Sequence, residues 1–244
     1  MKLMIYNIAY GTGAPGTMLE NIGTGYRYLR ASAHHLELLT SFIRSENPDI
    51  VGLLEVDTGS YRTAAINQVE SIASGLNHYH QSSVKYAGGS FGRKVPILRK
   101  QANAVLTRNP VDQNVFHFFD MGFKRLVIEV EYGGISLFLV HLSLRKRIRQ
   151  NQLLMLAKLI GDKRCVIVAG DFNALSGNHE LREFCDVLGL KSANTAGLPT
   201  FPSWRPRKEL DFILYSDDIT LKEFSIPDAR FSDHLPLIVE LETI

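Results

Sequence analysis

The sequence predicts a mixed α/β fold: two β-sheets packed face to face with helices on their outer sides. Three observations carry that reading. Short apolar runs of strand character alternate with amphipathic helical segments along the whole chain. Gly133-Gly134 joins two apolar runs with a tight hairpin signal, so neighbouring strands are antiparallel as well as crossed over by helices. That mixture argues against a purely parallel sheet. No linker or repeat interrupts the 244 residues, and the expected organisation is one domain over 1–244.

The first strand is at the N-terminus, residues 1–8. A Gly-rich loop from Gly11 to Gly25 follows. A helix fits 32–46, with Leu36, Leu39, Phe42 and Ile43 on one face, and Asn47-Pro48 stops it. Residues 49–55 read as a buried strand that ends in Glu55. A second helix fits 62–76 through Ile66, Val69, Ile72 and Leu76. A loop around Gly88-Gly89-Ser90 carries Arg93, Lys94, Arg99 and Lys100. Strands follow at 104–107, 126–132 and 135–142, then a helix over 147–160. A strand opens at Cys165, a helix covers 180–188, and a long loop leads to Trp204. Strands at 211–214, 220–224 and 237–241 close the chain.

Composition narrows the function classes. Hydrophobic residues make up 45% and charged residues 21%, enough for a large core and too apolar for a disordered chain. The net charge of +2 is low for a strongly cationic nucleic-acid binder, although a local basic groove is compatible with it. Two scattered cysteines, Cys165 and Cys185, form neither a disulfide framework nor a zinc site. With no signal-peptide pattern and no apolar run of membrane-spanning length, a cytoplasmic protein without stable membrane insertion is expected. No obligate protein partner is evident.

The chemistry-bearing residues sit where apolar runs stop: Asn7, Glu55, His141, Asp171, Asn173, Asp211, Asp233 and His234. Each alone has an ordinary structural explanation, such as an Asx-turn for Asp171 and Asn173 or a hydrogen-bonded core histidine for His141. Together they have no common structural reason. Sheet edges hold such groups rigidly while leaving them open to a ligand. Glu55, helped by Asn7, can supply hard oxygen ligands to Mg²⁺ or Mn²⁺, and soft ligands are absent. A histidine beside a carboxylate can stay protonated and donate to a phosphoryl oxygen. A second carboxylate can take a proton from water, and a carboxamide can orient that water.

The ordered set Asn7, Glu55, Val140-His141-Leu142, Gly170-Asp171-Phe172-Asn173, Leu210-Asp211-Phe212-Ile213 and Ser232-Asp233-His234-Leu235-Pro236 resembles the endonuclease/exonuclease/phosphatase superfamily over the whole chain. Thr200-Phe201-Pro202-Ser203-Trp204 is similar to a segment of its small bacterial members. The resemblance implies a four-layer α/β sandwich and a divalent-metal phosphoesterase. It implies Glu55 as principal metal ligand with Asn7 beside it, Asp171 activating or orienting water, and Asn173 on phosphate. It further implies His141 and His234 on phosphoryl oxygens, Asp211 orienting His141 or binding phosphate, and Asp233 paired with His234 within reach of a metal. His141 stands where abasic-site endonucleases of the group carry a tyrosine-containing segment. The histidine form resembles the branch with pancreatic deoxyribonuclease, neutral sphingomyelinases, inositol-polyphosphate phosphatases, deadenylases and tyrosyl-DNA phosphodiesterases.

Substrate signals are weaker. Arg145, Lys146, Arg147 and Arg149 follow His141 and can grip phosphate; a solvated helix start explains them equally well. Trp204, with Arg205, Arg207 and Lys208, can stack on a base or simply anchor its loop. The expected substrate is a phosphodiester with nucleic acid first, ahead of inositol phosphates, sphingolipid or small phosphodiesters. An inactive binding module with the same fold is the rival class.

Overall fold

The computed structural model describes residues 1–13, 31–85, 97–175, 177 and 179–243. The Gly-rich loop beyond Gly13, and the Gly88-Gly89-Ser90 loop with Arg93 and Lys94, lie outside the described residues.

The chain forms two six-stranded mixed sheets. One holds β1 (Lys2–Asn7), β2 (Ile50–Asp57), β3 (Tyr79–Val84), β4 (Gln101–Thr107), β11 (Ile219–Ser225) and β12 (Leu237–Thr243), in the order β11-β12-β1-β2-β4-β3. The other holds β5 (Gln113–Phe118), β6 (Leu126–Tyr132), β7 (Ile135–His141), β8 (Val166–Asp171), β9 (Leu190–Ser192) and β10 (Asp211–Ser216), in the order β5-β6-β7-β8-β10-β9. Helices α1 (Ala33–Glu46) and α2 (Gln68–Leu76) pack on the first sheet, and α3 (Lys146–Ile160) and α4 (His179–Leu188) on the second. This is the four-layer α/β sandwich.

Strand parity explains the layers. In β1, Leu3 and Ile5 enter the core between the sheets while Met4 and Tyr6 meet the helices. In β7, Ile135, Leu137 and Leu139 face the other sheet while Phe138 and Val140 face α3. Gly52 sits in a tight spot between the sheets, where a Cβ would stand 2.6 Å from Ile5 of the neighbouring strand and 2.8 Å from Leu139 of the other sheet. Only glycine fits there without displacing the central layer.

Five elements depart from the sequence expectation. Helix α2 begins at Gln68, not residue 62. Ser60 Oγ accepts the Arg62 amide to start a tight turn over Tyr61–Thr63, and Ala64 and Ala65 then take left-handed φ of 51° and 65°. Asn67 caps the true start by accepting the Val69 amide. The edge strands β3 and β5, and the three-residue β9, escape a pattern search. Gln81-Ser82-Ser83 and Gln113-Asn114 carry too little apolar character, and edge strands need only one buried face. Strand β2 also runs past Glu55 to Asp57, with a bulge between Leu53 and Val56.

Candidate active site

The same parity builds the site. Asn7 continues the inward row Leu3–Ile5, His141 continues Ile135–Leu137–Leu139, and Asp171 continues Ile167–Ala169. Asp211 begins the inward row Ile213–Tyr215. Parallel pairing sets His141 opposite Asp171, and antiparallel pairing sets Asp211 opposite Asp171. The polar residues therefore cap the inter-sheet core at one end, where the apolar rows run out.

Two backbone devices sharpen the placement. Gly170 has φ 140°, and a Cβ there would sit 1.9 Å from the Val140 carbonyl, so glycine lets β8 press against β7 just before Asp171. Glu55 has φ 55° within the β2 bulge, and its amide donates to Asn103 Oδ1 at 3.3 Å. The bulge turns Glu55 toward the site in a conformation a β-strand alone would deny it.

Asp171 is the hub. Its Oδ2 accepts from Asn7 Nδ2 at 3.2 Å and lies 3.0 Å from His141 Nε2. Its Oδ1 accepts the Asn173 amide at 2.9 Å, and His234 Nε2 stands 4.0 Å from Oδ2. Burial alone would push this carboxyl up, but His141, His234 and Lys124 outweigh it and hold it well below the usual carboxylate range. Asn173, at left-handed φ 52°, donates its side-chain amide to the Leu142 carbonyl at 3.1 Å, which ties the ends of β7 and β8 together.

His234 pairs with Asp211, Nδ1 to Oδ2 at 2.8 Å. Thr200 Oγ1 donates to the same oxygen at 2.6 Å. Burial disfavours the imidazolium, yet Asp211, Asp171 and Asp233 raise its pKa to about 10, so the ring is a cation at neutral pH. His141 shifts the other way. Burial and the neighbouring Lys124 push its pKa down to about 4, against the Asp171 carboxylate 3.0 Å from its Nε2. Among the described residues its buried Nδ1 has no hydrogen-bond partner, and it lies 3.9 Å from Glu55 Oε1.

These pairings correct two expected roles. Asp211 orients His234 rather than His141, because β10 presents it to the loop before β12. His234 is held by Asp211 rather than Asp233, whose carboxylate accepts from Ser232 Oγ at 3.1 Å. Burial and the nearby Glu55 and Asp171 carboxylates raise the Asp233 pKa. The structure gathers Asn7, Glu55, His141, Asp171, Asn173, Asp211, Asp233 and His234 at this one end.

The outer residues divide. Arg149 is no phosphate grip: its side chain is buried, its Nε donates to Glu180 Oε1 at 2.6 Å, and its Nη1 donates to the Ser143 and Leu144 carbonyls. Helical periodicity turns it toward α4. Arg145, Lys146 and Arg147 are exposed beside the end of β7. Trp204 is half-buried, and it is Phe201 whose ring packs on His234, with centroids 4.9 Å apart.

Sequence reasoning missed two cations. Lys124, just before β6, contacts His141 Nε2 through its ammonium. Lys85, just past β3, is buried; its ammonium donates to Tyr10 Oη at 3.1 Å and lies 3.8 Å from Glu55 Oε1. Burial would raise the Glu55 pKa, but Lys85, His141 and Lys124 lower it overall, and the group is a carboxylate. Single lysines beside edge or loop segments carry no pattern. Asn103 did leave a signal, a polar residue at an inward position between Ala102 and Ala104.

The family model described as Endonuclease/Exonuclease/phosphatase family matches residues 4–234. The chain belongs to that family. Its members are hydrolases that act on phosphoesters, generally with a divalent metal. YbhP of Escherichia coli (strain K12) is 30% identical, over 83% of this chain and 87% of that protein. Among solved structures, a Bacteroides thetaiotaomicron mannosyl-6-phosphatase superposes with TM-score 0.71 at 15% identity, over 99% of both chains. TDP2 of D. rerio, complexed with a single-strand DNA product, superposes with TM-score 0.67 at 16% identity, over 100% of this chain and 99% of that one. Both show the shared fold. Among the described residues, no helix is long and apolar enough to cross a membrane.

Proposed function

We propose that this protein is a divalent-metal-dependent phosphodiester hydrolase. One observation carries the reading: a carboxylate, Asp171, oriented by Asn7, His141 and the Asn173 amide, faces an imidazolium, His234, 4.0 Å away. That is an acceptor for a water proton beside a donor for a phosphoryl oxygen.

The donor set suits Mg²⁺ or Mn²⁺. Glu55 offers a carboxylate that is only 18% exposed, and the carboxamide of Asn7 and the carboxylates of Asp171 and Asp233 stand near it. These are hard oxygens without sulfur, as such ions require. Asp171, Asp211 and His234 also have ligand atoms within 4.8 Å of one another. We read that group as a proton network instead, because the cationic His234 donates to Asp211 and has no lone pair to spare there. Glu55 and Asn7 would hold the metal, with Asp233 in reach. When bound, it would offset charge on the phosphoryl oxygens and polarise the ester.

The chain's own groups do the rest. Asp171 takes a proton from the attacking water and stays anionic until then because the cations around it outweigh burial. His234 donates to a non-bridging oxygen, and Asp211 with Thr200 fixes the ring. Lys124 adds a positive charge beside His141 that further favours the Asp171 carboxylate.

For substrate, nucleic acid is the first reading, supported by the exposed Arg145, Lys146 and Arg147 and by the DNA product in the TDP2 neighbour. A lipid phosphodiester is the second, favoured by Leu144, an apolar side chain exposed beside the same basic residues. Hydrolysis of bis-p-nitrophenyl phosphate with Mn²⁺ should be clear and should vanish in chelator. Full activity in chelator would sink the metal-dependent reading, and no metal binding by calorimetry would favour an inactive module.

A further inference from the structure

Behind Glu55 lies a chain of buried polar groups that the hydrolytic chemistry leaves unused. It begins and ends on β2. Asp57, two residues after Glu55, accepts from the Gly59 and Ser60 amides and the Ser60 hydroxyl, and its Oδ2 pairs with Arg62 Nε at 3.4 Å. The Arg62 guanidinium lies 4.2 Å from the centroid of the Tyr10 ring. The Tyr10 hydroxyl accepts from Lys85 Nζ at 3.1 Å, and that ammonium stands 3.8 Å from Glu55 Oε1. Asp57, Arg62, Tyr10 and Lys85 are all buried.

The links are fixed from outside the chain. Gln68 accepts from the Asp57 amide and donates to the Tyr10 carbonyl at 2.7 Å. Gly11 leaves that carboxamide room, since a Cβ there would stand 2.6 Å from Gln68 Nε2. The Lys85 amide donates to the Gln101 carbonyl at the start of β4.

Arg62 and Lys85 face different partners. Asp57 answers the Arg62 charge within the chain. The carboxylate beside Lys85 is Glu55, the principal metal ligand under the proposed function. At 3.8 Å the contact is an ion pair and not a hydrogen bond, so Lys85 acts on Glu55 through charge and leaves its lone pairs open. Burial pushes the Lys85 pKa down to about 8, and the group is still mainly a cation at neutral pH. Glu55 in turn stands within the field of the Asp171 and Asp233 carboxylates, which disfavour its charge.

We propose that Lys85 is a resident counter-cation of the metal site: it offsets the Glu55 charge, a divalent ion binds against it, and it thereby sets how much metal the enzyme needs. This role rests on the metal-dependent reading of the site. Lys85 is a positioning residue, and Tyr10, held by Arg62 and Gln68, keeps its ammonium beside the ligand. A unit charge this close to a divalent ion weakens binding by about tenfold even with strong screening.

The test is calorimetric titration of the full chain with Mn²⁺ at neutral pH. Lys85→Met removes the charge, Lys85→Gln removes it but keeps a donor for Tyr10, and Lys85→Arg keeps the charge. The neutral variants should bind Mn²⁺ about tenfold more tightly than wild type, and Lys85→Arg should stay close to wild type. Melting is the second readout. Without metal the neutral variants should melt below wild type, because Glu55 has lost its counter-charge, and saturating Mn²⁺ should raise their melting temperature by more than it raises that of wild type. A purely structural lysine would lower melting equally with and without Mn²⁺ and leave affinity unchanged, and that result overturns the proposal. So does unchanged or weaker Mn²⁺ binding by whichever neutral variant folds, or equal tightening in Lys85→Arg, which would give the effect to shape and not charge. These outcomes, with Mn²⁺ still bound by wild type, remove only the role of Lys85. No Mn²⁺ binding by wild type, with full hydrolysis of bis-p-nitrophenyl phosphate in chelator, removes the metal-dependent reading and this role with it.

Discussion

The two sheets contribute unlike halves to the site. The first gives Asn7 from β1 and Glu55 from the β2 bulge, oxygen donors beside the buried Lys85. The second gives His141 and Asp171, paired with each other, and Asp211, paired with His234 from the loop before β12, which stands 4.0 Å from Asp171. Under the proposed function, one half would receive a cation and the other would hold protons in place. The difference teaches where each function can tolerate change. A coordination site can be rescued by ligand concentration, whereas a hydrogen-bonded network loses its geometry when one member goes.

The largest test of that contrast is Asp171→Asn. Turnover should fall by roughly 10³–10⁴ while calorimetric metal affinity moves little. Wild-type turnover in this variant would break the assignment of proton chemistry to the second half.

Arg149→Met comes next. It strands Glu180 without its cation and releases the Ser143 and Leu144 carbonyls, so stability should drop by about 3–5 kcal/mol in denaturant titration. A neutral result would mean the segment after His141 is braced by other contacts.

His234→Gln should slow the chemical step by about 10²-fold with metal binding intact, since it removes the imidazolium but leaves Asp211 and Thr200 paired. If metal affinity collapsed instead, the second half would be a ligand sphere and the division would be wrong.

Glu55→Gln sharpens the other side. Metal affinity should weaken by about 10–100-fold, and raising Mn²⁺ should recover part of the activity. A loss that no metal concentration relieves would point to a role in the proton network.

The smallest expected effect is Arg145→Ala/Lys146→Ala/Arg147→Ala. These side chains are exposed, so stability should change by about 0.5 kcal/mol or less, in contrast to Arg149. Cleavage of a charged substrate should show a flatter salt dependence. Unchanged salt slopes on both oligonucleotides and anionic vesicles would reduce the stretch to a solvated helix start.

The periodicity of α1 and the apolar runs of β1, β2, β7 and β8 were legible because each buries a repeating face, as were the polar residues that end those runs. Lys85 and Lys124 were not, because an isolated lysine reads as surface until folding encloses it. Arg145 and Arg149 looked alike in the sequence, and only the packing of α3 on α4 separated an exposed cation from a buried one.

By itself the sequence determined which polar residues end the apolar runs and so stand together at one end of the core, because strand parity and the motifs Gly170-Asp171-Phe172-Asn173 and Ser232-Asp233-His234 are local properties of the chain. It also determined the layering, since apolar period alone decides which faces must be covered. Which carboxylate holds which histidine was decided by tertiary structure. Strand β10 pairs with β8 so that Asp211 stands opposite Asp171 and meets His234, 23 residues later, a matter of register between strands that no local pattern encodes.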